Sequence, residues 1–145
     1  MTDHVSEPLY TAVAHVDAGR EGSAVFDDAD VRLELGKPPT GRGQGDRSKL
    51  NPEQLFAAGY AACFHSALLH HARAHDVDTT GSEVVGRVGI GMVEGGGMGL
   101  TVELRIELPG ADPQAADRAV AAAHESCPYS RAVAGNVEVT LEVRT

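Results

Sequence analysis

The chain has few aromatic side chains and a shortage of positive charge. It contains no tryptophan, and aromatic residues make up 4% of its 145 residues against 42% hydrophobic residues in all. A core must therefore rest on valine, leucine and alanine. Lysine and arginine number 12 against 21 aspartates and glutamates, which gives a formal net charge of −9. A surface with this charge repels phosphates, so a nucleic-acid-binding protein is not expected.

Long apolar runs are also missing. No stretch approaches the ~18 consecutive apolar residues that predict a transmembrane helix. The first nine residues include Asp3, Glu7 and Pro8 and lack the apolar centre of a secretory signal peptide. We therefore expect a cytoplasmic protein with a single domain over residues 1–145.

Cysteine is scarce, since only Cys63 and Cys127 are present. A permanent disulfide is not expected in a reducing cytosol, so a pair that meets would form a transient catalytic or sensing disulfide. Free cysteines are also common as small buried hydrophobic residues. The two positions are far apart in sequence, and composition alone leaves both interpretations open.

Alternating apolar and polar residues predict several half-buried strands. These predicted strands cover residues 9–16, 23–26, 31–35, 84–93, 100–108 and 137–143. The segments 84–93 and 100–108 flank a run of three glycines, which predicts a hairpin. Strands and helices do not alternate as in a parallel βαβ protein, so we expect an α+β fold with antiparallel sheet.

Helix signals appear in two places. Asn51, Pro52 and Gln54 form a strong start for a helix that is predicted to reach about Ala74, with an interruption at Gly59. A second helix is predicted to start at residues 112–113 and to end near residue 126, because the proline at 128 cannot continue it. A short turn or helix over 128–134 follows.

The predicted break at Gly59 suggests how Cys63 could be activated. A peroxide-reducing cysteine must be a thiolate, and a free thiol has a pKa of ~8.5. If a new helix begins after Gly59, Cys63 lies in its first turn, where free backbone N–H groups and the helix dipole favour negative charge. One uninterrupted helix would remove this route. The neighbours Tyr60 and Phe64 suit a hydrophobic substrate, and they equally suit a packed core cysteine.

Cys127 lies at a predicted helix end, where a thiol can move if the last turn frays. Such mobility suits a resolving cysteine, because two sulfurs must close to bonding distance. If the two cysteines meet, Cys63 would be oxidised to a sulfenic acid and then condense with Cys127. Simple packing of Cys127 at the helix end is the alternative.

Several other residues are candidates for a functional site. His71 and His75 are spaced i, i+4 as zinc ligands can be, but a solvated helix end is the favoured interpretation. His124 could act on the Cys127 thiol, although capping or packing is favoured. Tyr129 could form one wall of a site or pack in the core.

The glycine-rich run at residues 41–45 lacks the strand, the Gly-Lys-Ser/Thr sequence and the helix of a phosphate-binding loop. We predict a flexible loop there, near a substrate entrance.

Two sequence blocks carry a family resemblance. The first is NPEQLFAAGYAACF at residues 51–64, and the second is HESCPYS at residues 124–130, followed by GNV at 135–137. The segment YTA at residues 10–12 and the turn at Gly19 and Arg20 match as well. Together these blocks resemble the organic hydroperoxide resistance protein family, within the wider group of OsmC-type proteins. They span nearly the whole chain in order.

The resemblance implies roles for four residues. Cys63 would attack the peroxide, and Cys127 would resolve it as an intramolecular disulfide. Arg20 and Glu53 would support the reactive cysteine; without the resemblance, Arg20 looks like a solvated turn charge. Ten residues of straight helix span ~15 Å, so Glu53 and Cys63 cannot touch along one helix. Either the helix bends at Gly59, or Arg20 bridges the two residues.

The resemblance also implies the fold and the partners. The expected fold is OsmC-like, an intertwined homodimer with two sheets around central helices and two sites near the interface. The implied substrate is an alkyl or fatty-acid hydroperoxide, and the implied reductant is a dihydrolipoyl group on a partner protein. No metal or bound cofactor is implied. A non-catalytic redox-sensing or lipid-binding protein of the same fold is the alternative, and the four residues together favour the enzyme.

Overall fold

The computed structural model describes residues 2–40, 43 and 45–145. The predicted flexible loop at 41–45 falls largely on residues 41, 42 and 44, which lie outside the described residues. The chain divides into two compact units, one ending at Pro52 and the other covering Glu53–Thr145. The expectation of one domain over residues 1–145 stays a prediction.

The first unit contains a three-stranded antiparallel sheet in the order β1-β2-β3. The strands are β1 (Ala14–Val16), β2 (Ser23–Phe26) and β3 (Ala29–Glu34), with a short 3-10 helix at Gly19–Glu21. Strand β1 is shorter than the predicted 9–16, because only its three residues pair with β2.

Helix α1 (Pro52–Ala74) runs through Gly59 without interruption. The predicted break was wrong. An interior glycine costs a helix only about 1 kcal/mol, while burial of one helix face stabilises it. That face carries Tyr60, Phe64 and Leu68, all completely buried. Cys63 therefore lies about three turns into a continuous helix, and activation by a helix N-terminus of its own is excluded.

The second unit holds a sheet with the order β4-β5-β6. Strands β4 (Glu83–Met92) and β5 (Met98–Glu107) form the predicted antiparallel hairpin. Strand β6 (Val139–Arg144) pairs with β5 in parallel, where an antiparallel arrangement was expected. The connection between them contains two helices, which is long enough to return the chain to the same end of the sheet. The predicted α+β class is confirmed.

The two connecting helices are α2 (Pro113–Ser126) and α3 (Pro128–Val133). Helix α2 starts where it was predicted to start: Asp112 caps it, and its carboxylate accepts a hydrogen bond of 2.9 Å from the backbone N–H of Ala115. Cys127 is the only residue between the two helices. Among the described residues, no helix has the length and apolar character needed to cross a bilayer.

The core of the second unit is mainly aliphatic, as the composition predicts. One cluster joins buried residues of α1, β5 and α2, and it includes Cys127. Helix α2 contributes mostly alanines to this cluster: Ala115, Ala116, Ala119 and Ala123. Cys127 is therefore a core residue by burial, whatever its chemistry.

At Gly86, strand β4 lies close to α1. A Cβ atom at this position would lie 2.7 Å from the carbonyl oxygen of Ala57 and 3.3 Å from the Cβ of Ala61. We expect Gly86→Ala to lower the free energy of unfolding by about 1–3 kcal/mol through overpacking, as measured by urea denaturation. Gly91→Ala on the same strand is the matched control, since no atom lies within 4 Å of its added Cβ. Equal stability of the two variants would contradict this account of the helix–sheet contact.

Candidate active site

The structure brings the two cysteines together. Both are free thiols, and the Sγ atoms of Cys127 and Cys63 lie 3.7 Å apart. Cys127 is completely buried, whereas Cys63 is partly exposed. A disulfide requires about 2 Å, so the sulfurs would have to approach by roughly 1.7 Å to bond.

Cys127 is held by backbone hydrogen bonds on both sides. Its N–H donates to the carbonyl of Ala123 at 2.8 Å, and its carbonyl accepts from the N–H of Arg131 at 3.0 Å. It is at once the C-cap of α2 and the N-cap of α3, with extended backbone between them. The thiol is therefore attached to a joint between two helices, and the predicted mobility of this helix end stays a prediction.

The surroundings of Cys63 within the second unit disfavour its thiolate. Burial raises the pKa of the Cys63 thiol, and neighbouring Cys127 raises it further. A hydrogen bond from the backbone N–H of Tyr129 lowers the pKa, but the net direction is upward. This N–H belongs to the first turn of α3, where backbone amides have no acceptor within the helix. A reactive thiolate at neutral pH therefore needs a further positive charge.

Three aromatic rings gather beside the cysteine pair. The centroid distances are 6.1 Å for Phe56–Tyr60, 6.4 Å for Phe56–Tyr129 and 5.9 Å for Tyr60–Tyr129. A Cβ atom at Gly59 would lie only 3.3 Å from the Tyr129 hydroxyl. Gly59 thus leaves room for this ring against α1, which is a different role from the predicted helix break.

A buried chain of hydrogen bonds runs beside the sulfurs. The Tyr60 hydroxyl donates to Oγ of Ser130 at 2.8 Å, and Oγ of Ser130 lies 2.9 Å from Nδ1 of His124. Burial raises the pKa of Tyr60, so its hydroxyl stays protonated and can donate. His124 is thus paired with Ser130. Sequence analysis missed this chain: a phenol in an apolar helix needs a partner, but the partner is 70 positions away.

The two charged candidates are placed as follows. Glu53 is buried in the first turn of α1. Because α1 is continuous, ten residues or ~15 Å of helix separate Glu53 from Cys63, so the two side chains are not in contact. Arg20 is a half-buried residue of the 3-10 helix in the first unit. The supporting roles of both residues stay predictions.

The histidines considered as zinc ligands have other surroundings. Nε2 of His71 lies 2.8 Å from Oγ of Ser126, and the His71 ring packs edge-on against His70. Among residues 2–40, 43 and 45–145, no group of three or more His, Cys, Asp or Glu side chains is arranged to hold a metal ion.

A family model described as OsmC-like protein matches residues 43–142. The chain belongs to this family. The organic hydroperoxide resistance protein of Xanthomonas axonopodis pv. citri (strain 306) is 46% identical over 134 residues, which cover 92% of this chain and 93% of that protein. The protein OhrA of Bacillus subtilis, with the same description, is 41% identical over 96% of this chain and 99% of its own length. Within the OsmC-like family, the chain belongs with the organic hydroperoxide resistance proteins, as its sequence blocks indicated.

Solved structures agree with this assignment. The organic hydroperoxide resistance protein from Legionella pneumophila has a TM-score of 0.86 at 38% identity, covering 96% of this chain and all of that one. A putative member from Vibrio cholerae, with captopril bound in one of its active sites, has a TM-score of 0.86 at 39% identity, covering 98% and 96% of the two chains. A putative redox protein from Lactobacillus casei, at 23% identity and a TM-score of 0.80, shares the fold.

The unequal burial of the two thiols has a direct consequence for labelling. In the reduced, folded protein we expect iodoacetamide to alkylate Cys63 about tenfold faster than Cys127 or more, because reactivity requires access. Mass spectrometry of the single-cysteine variants Cys127→Ser and Cys63→Ser measures the two rates separately. In urea the rates should become equal. Equal rates in the folded variants would contradict the burial of Cys127.

Proposed function

We propose that this protein is a thiol peroxidase that reduces organic hydroperoxides, with Cys63 as nucleophile and Cys127 as resolving thiol. The observation that carries the proposal is the pair of free sulfurs 3.7 Å apart, one partly exposed and one buried. Relatives at 41–46% identity are named for organic hydroperoxide resistance, which supports this substrate class.

In the first step, the Cys63 thiolate attacks one oxygen of the hydroperoxide. A sulfur–oxygen bond forms while the oxygen–oxygen bond breaks, leaving a sulfenic acid on Cys63. The departing alkoxide takes a proton and leaves as the alcohol. The partial exposure of Cys63 supports its role as the nucleophile that attacks the peroxide, because a peroxide cannot reach the buried thiol of Cys127.

In the second step, the thiol of Cys127 condenses with the sulfenic acid of Cys63. The sulfur–sulfur bond forms, and the hydroxyl group leaves with the thiol proton as water. A dihydrolipoyl dithiol of a partner protein then reduces the disulfide and becomes the cyclic lipoyl disulfide. This reductant, like the intertwined homodimer, rests on the family resemblance, and the cytoplasmic location stays a prediction from the sequence.

The surroundings of the sulfurs favour an organic rather than an inorganic peroxide. The partly exposed rings of Phe56 and Tyr129, which pack against the buried ring of Tyr60, form an apolar patch near the cysteine pair, and Tyr129 is 41% exposed. An alkyl or acyl chain can pack on such a surface, whereas hydrogen peroxide gains nothing from it. The captopril in an active site of the Vibrio cholerae relative also supports a site that admits a small organic molecule.

Arg20 is the proposed source of the charge that the thiolate needs, and Glu53 would orient its guanidinium by a charge-assisted hydrogen bond. The support is twofold: both residues match the family blocks, and burial raises the pKa of the Cys63 thiol, so a positive charge would favour the thiolate. With α1 continuous, a link through Arg20 is the remaining way for Glu53 to act on Cys63.

The decisive experiment is stopped-flow oxidation of the reduced protein by tert-butyl hydroperoxide, linoleic acid hydroperoxide and hydrogen peroxide. We expect fast thiol loss with the two organic peroxides and slower loss with hydrogen peroxide. Cys63→Ser should abolish the reaction, and Cys127→Ser should stop it at the sulfenic acid. Slow reaction with every peroxide would overturn the proposal in favour of a redox-sensing or lipid-binding protein of the same fold.

A separate measurement addresses Arg20. A nearby positive charge lowers a thiol pKa by about 1–3, so Arg20→Ala should slow peroxide reduction at pH 7 by roughly 10–1000-fold. Without this charge, the pKa of Cys63 moves upward in the direction that burial sets. The rate of the variant should therefore recover as the pH rises toward this higher pKa. Arg32→Ala, which removes an exposed arginine of the same unit paired with Glu34, is the control; equal effects of the two variants would remove Arg20 from the mechanism.

A further inference from the structure

The hydrogen-bond chain of Tyr60, Ser130 and His124 joins three helices at one oxygen atom. Oγ of Ser130, on α3, accepts from the Tyr60 hydroxyl of α1 and contacts Nδ1 of His124 in the last turn of α2. The Ser130 hydroxyl can give its own proton to Nδ1 when the imidazole carries its proton on Nε2. The Tyr60 hydroxyl, the Ser130 hydroxyl and Nδ1 of His124 then each have a hydrogen-bond partner.

The members of the chain lie close in sequence to the two cysteines. Tyr60 lies three positions before Cys63, while His124 and Ser130 lie three positions before and after Cys127. On α1, residues three apart are neighbours on one face, so Tyr60 lies beside Cys63. His124 and Ser130 belong to the two helices that meet at Cys127. The hydrogen bonds therefore join α1 to both helices next to the joint that carries the Cys127 sulfur.

The hydrogen bond between Tyr60 and Ser130 is also protected from water. Tyr60 is completely buried and Ser130 is 3% exposed, so water does not compete for their hydrogen bond. A buried polar pair of this kind holds one geometry, because any shift that breaks it leaves unsatisfied groups in an apolar core. Apolar packing alone would tolerate sliding of α3 along α1.

We propose that Tyr60, Ser130 and His124 are positioning residues that hold the Cys127 thiol within reach of Cys63 for disulfide formation. The inference rests on the proposed function, since it concerns the step in which Cys127 attacks oxidised Cys63. Holding two reacting groups in contact raises their effective concentration, and small displacements lower it steeply. The sulfurs start 3.7 Å apart, so the chain would keep the reduced enzyme close to the geometry of attack.

A single and a double variant distinguish a positioning role from a purely structural one. Removing one partner, as in Ser130→Ala, leaves the buried Tyr60 hydroxyl unsatisfied and destabilises the protein. Removing both, as in Tyr60→Phe with Ser130→Ala, leaves an apolar pair of similar shape, which can be nearly neutral for stability. The double variant is therefore expected to keep the fold while it loses the hydrogen bond between α1 and α3. A change in its thiol chemistry then reports on the position of Cys127 and not on the stability of the protein.

The test measures the effective concentration of the two thiols by equilibrating the protein with reduced and oxidised glutathione. In this exchange the protein dithiol gives two electrons and two protons to glutathione disulfide, so no peroxide is needed. We expect the double variant to show a loss of about tenfold or more in effective concentration relative to the wild type. Ser130→Thr keeps the hydroxyl and should keep most of the wild-type effective concentration. Ser66→Ala, which removes a hydroxyl at an exposed position of α1, is the matched control.

Kinetics supply the second readout. After oxidation by tert-butyl hydroperoxide, conversion of the sulfenic acid to the disulfide should slow more in the double variant than formation of the sulfenic acid does. An unchanged glutathione equilibrium in a folded double variant would overturn the inference. A wild-type protein that equilibrates with glutathione but ignores peroxides would instead overturn the proposed function and leave the positioning role standing, so the two failures are distinguishable.

Discussion

Burial of one face of α1 is the constraint on which the second unit depends. Tyr60, Phe64 and Leu68 recur every four residues and are completely buried, which stabilises a continuous helix through Gly59 despite its glycine. Because α1 is continuous, the buried face of the helix determines the direction in which Cys63 points. Cys63 is one position before Phe64, at the edge of the buried face, so its sulfur points partly to solvent and partly to the core residue Cys127.

This placement sets two requirements against each other. A sulfur near the core can meet a buried partner, but the same burial raises its pKa and suppresses the thiolate. The Tyr129 amide offsets only part of this effect. A peroxidase built on this pair would need a positive charge to favour the thiolate, and Arg20 is the proposed source of that charge.

Local patterns were sufficient for much of the fold. The cap at Asp112, the stop before Pro128 and the hairpin around three glycines are set by neighbouring residues, and the structure contains them. The parallel pairing of β5 and β6 was not predictable, because strand direction depends on a connection of two helices and not on the strand sequences. At the site, the cysteines were identifiable as residues, but their contact spans 64 positions. The hydrogen bonds of Ser130 were not predictable from the sequence, because its two partners lie on other helices.

The scarcity of aromatic residues, which limits the core, also determines the intrinsic fluorescence of the protein. The chain has no tryptophan and three tyrosines, so tyrosine emission is not masked by energy transfer to indole. Two of the three rings, Tyr60 and Tyr129, pack together beside the sulfurs, and Tyr60 shares a helix with Cys63. Intrinsic tyrosine fluorescence is thus concentrated beside the two thiols, which makes it a built-in probe of the proposed change in their oxidation state.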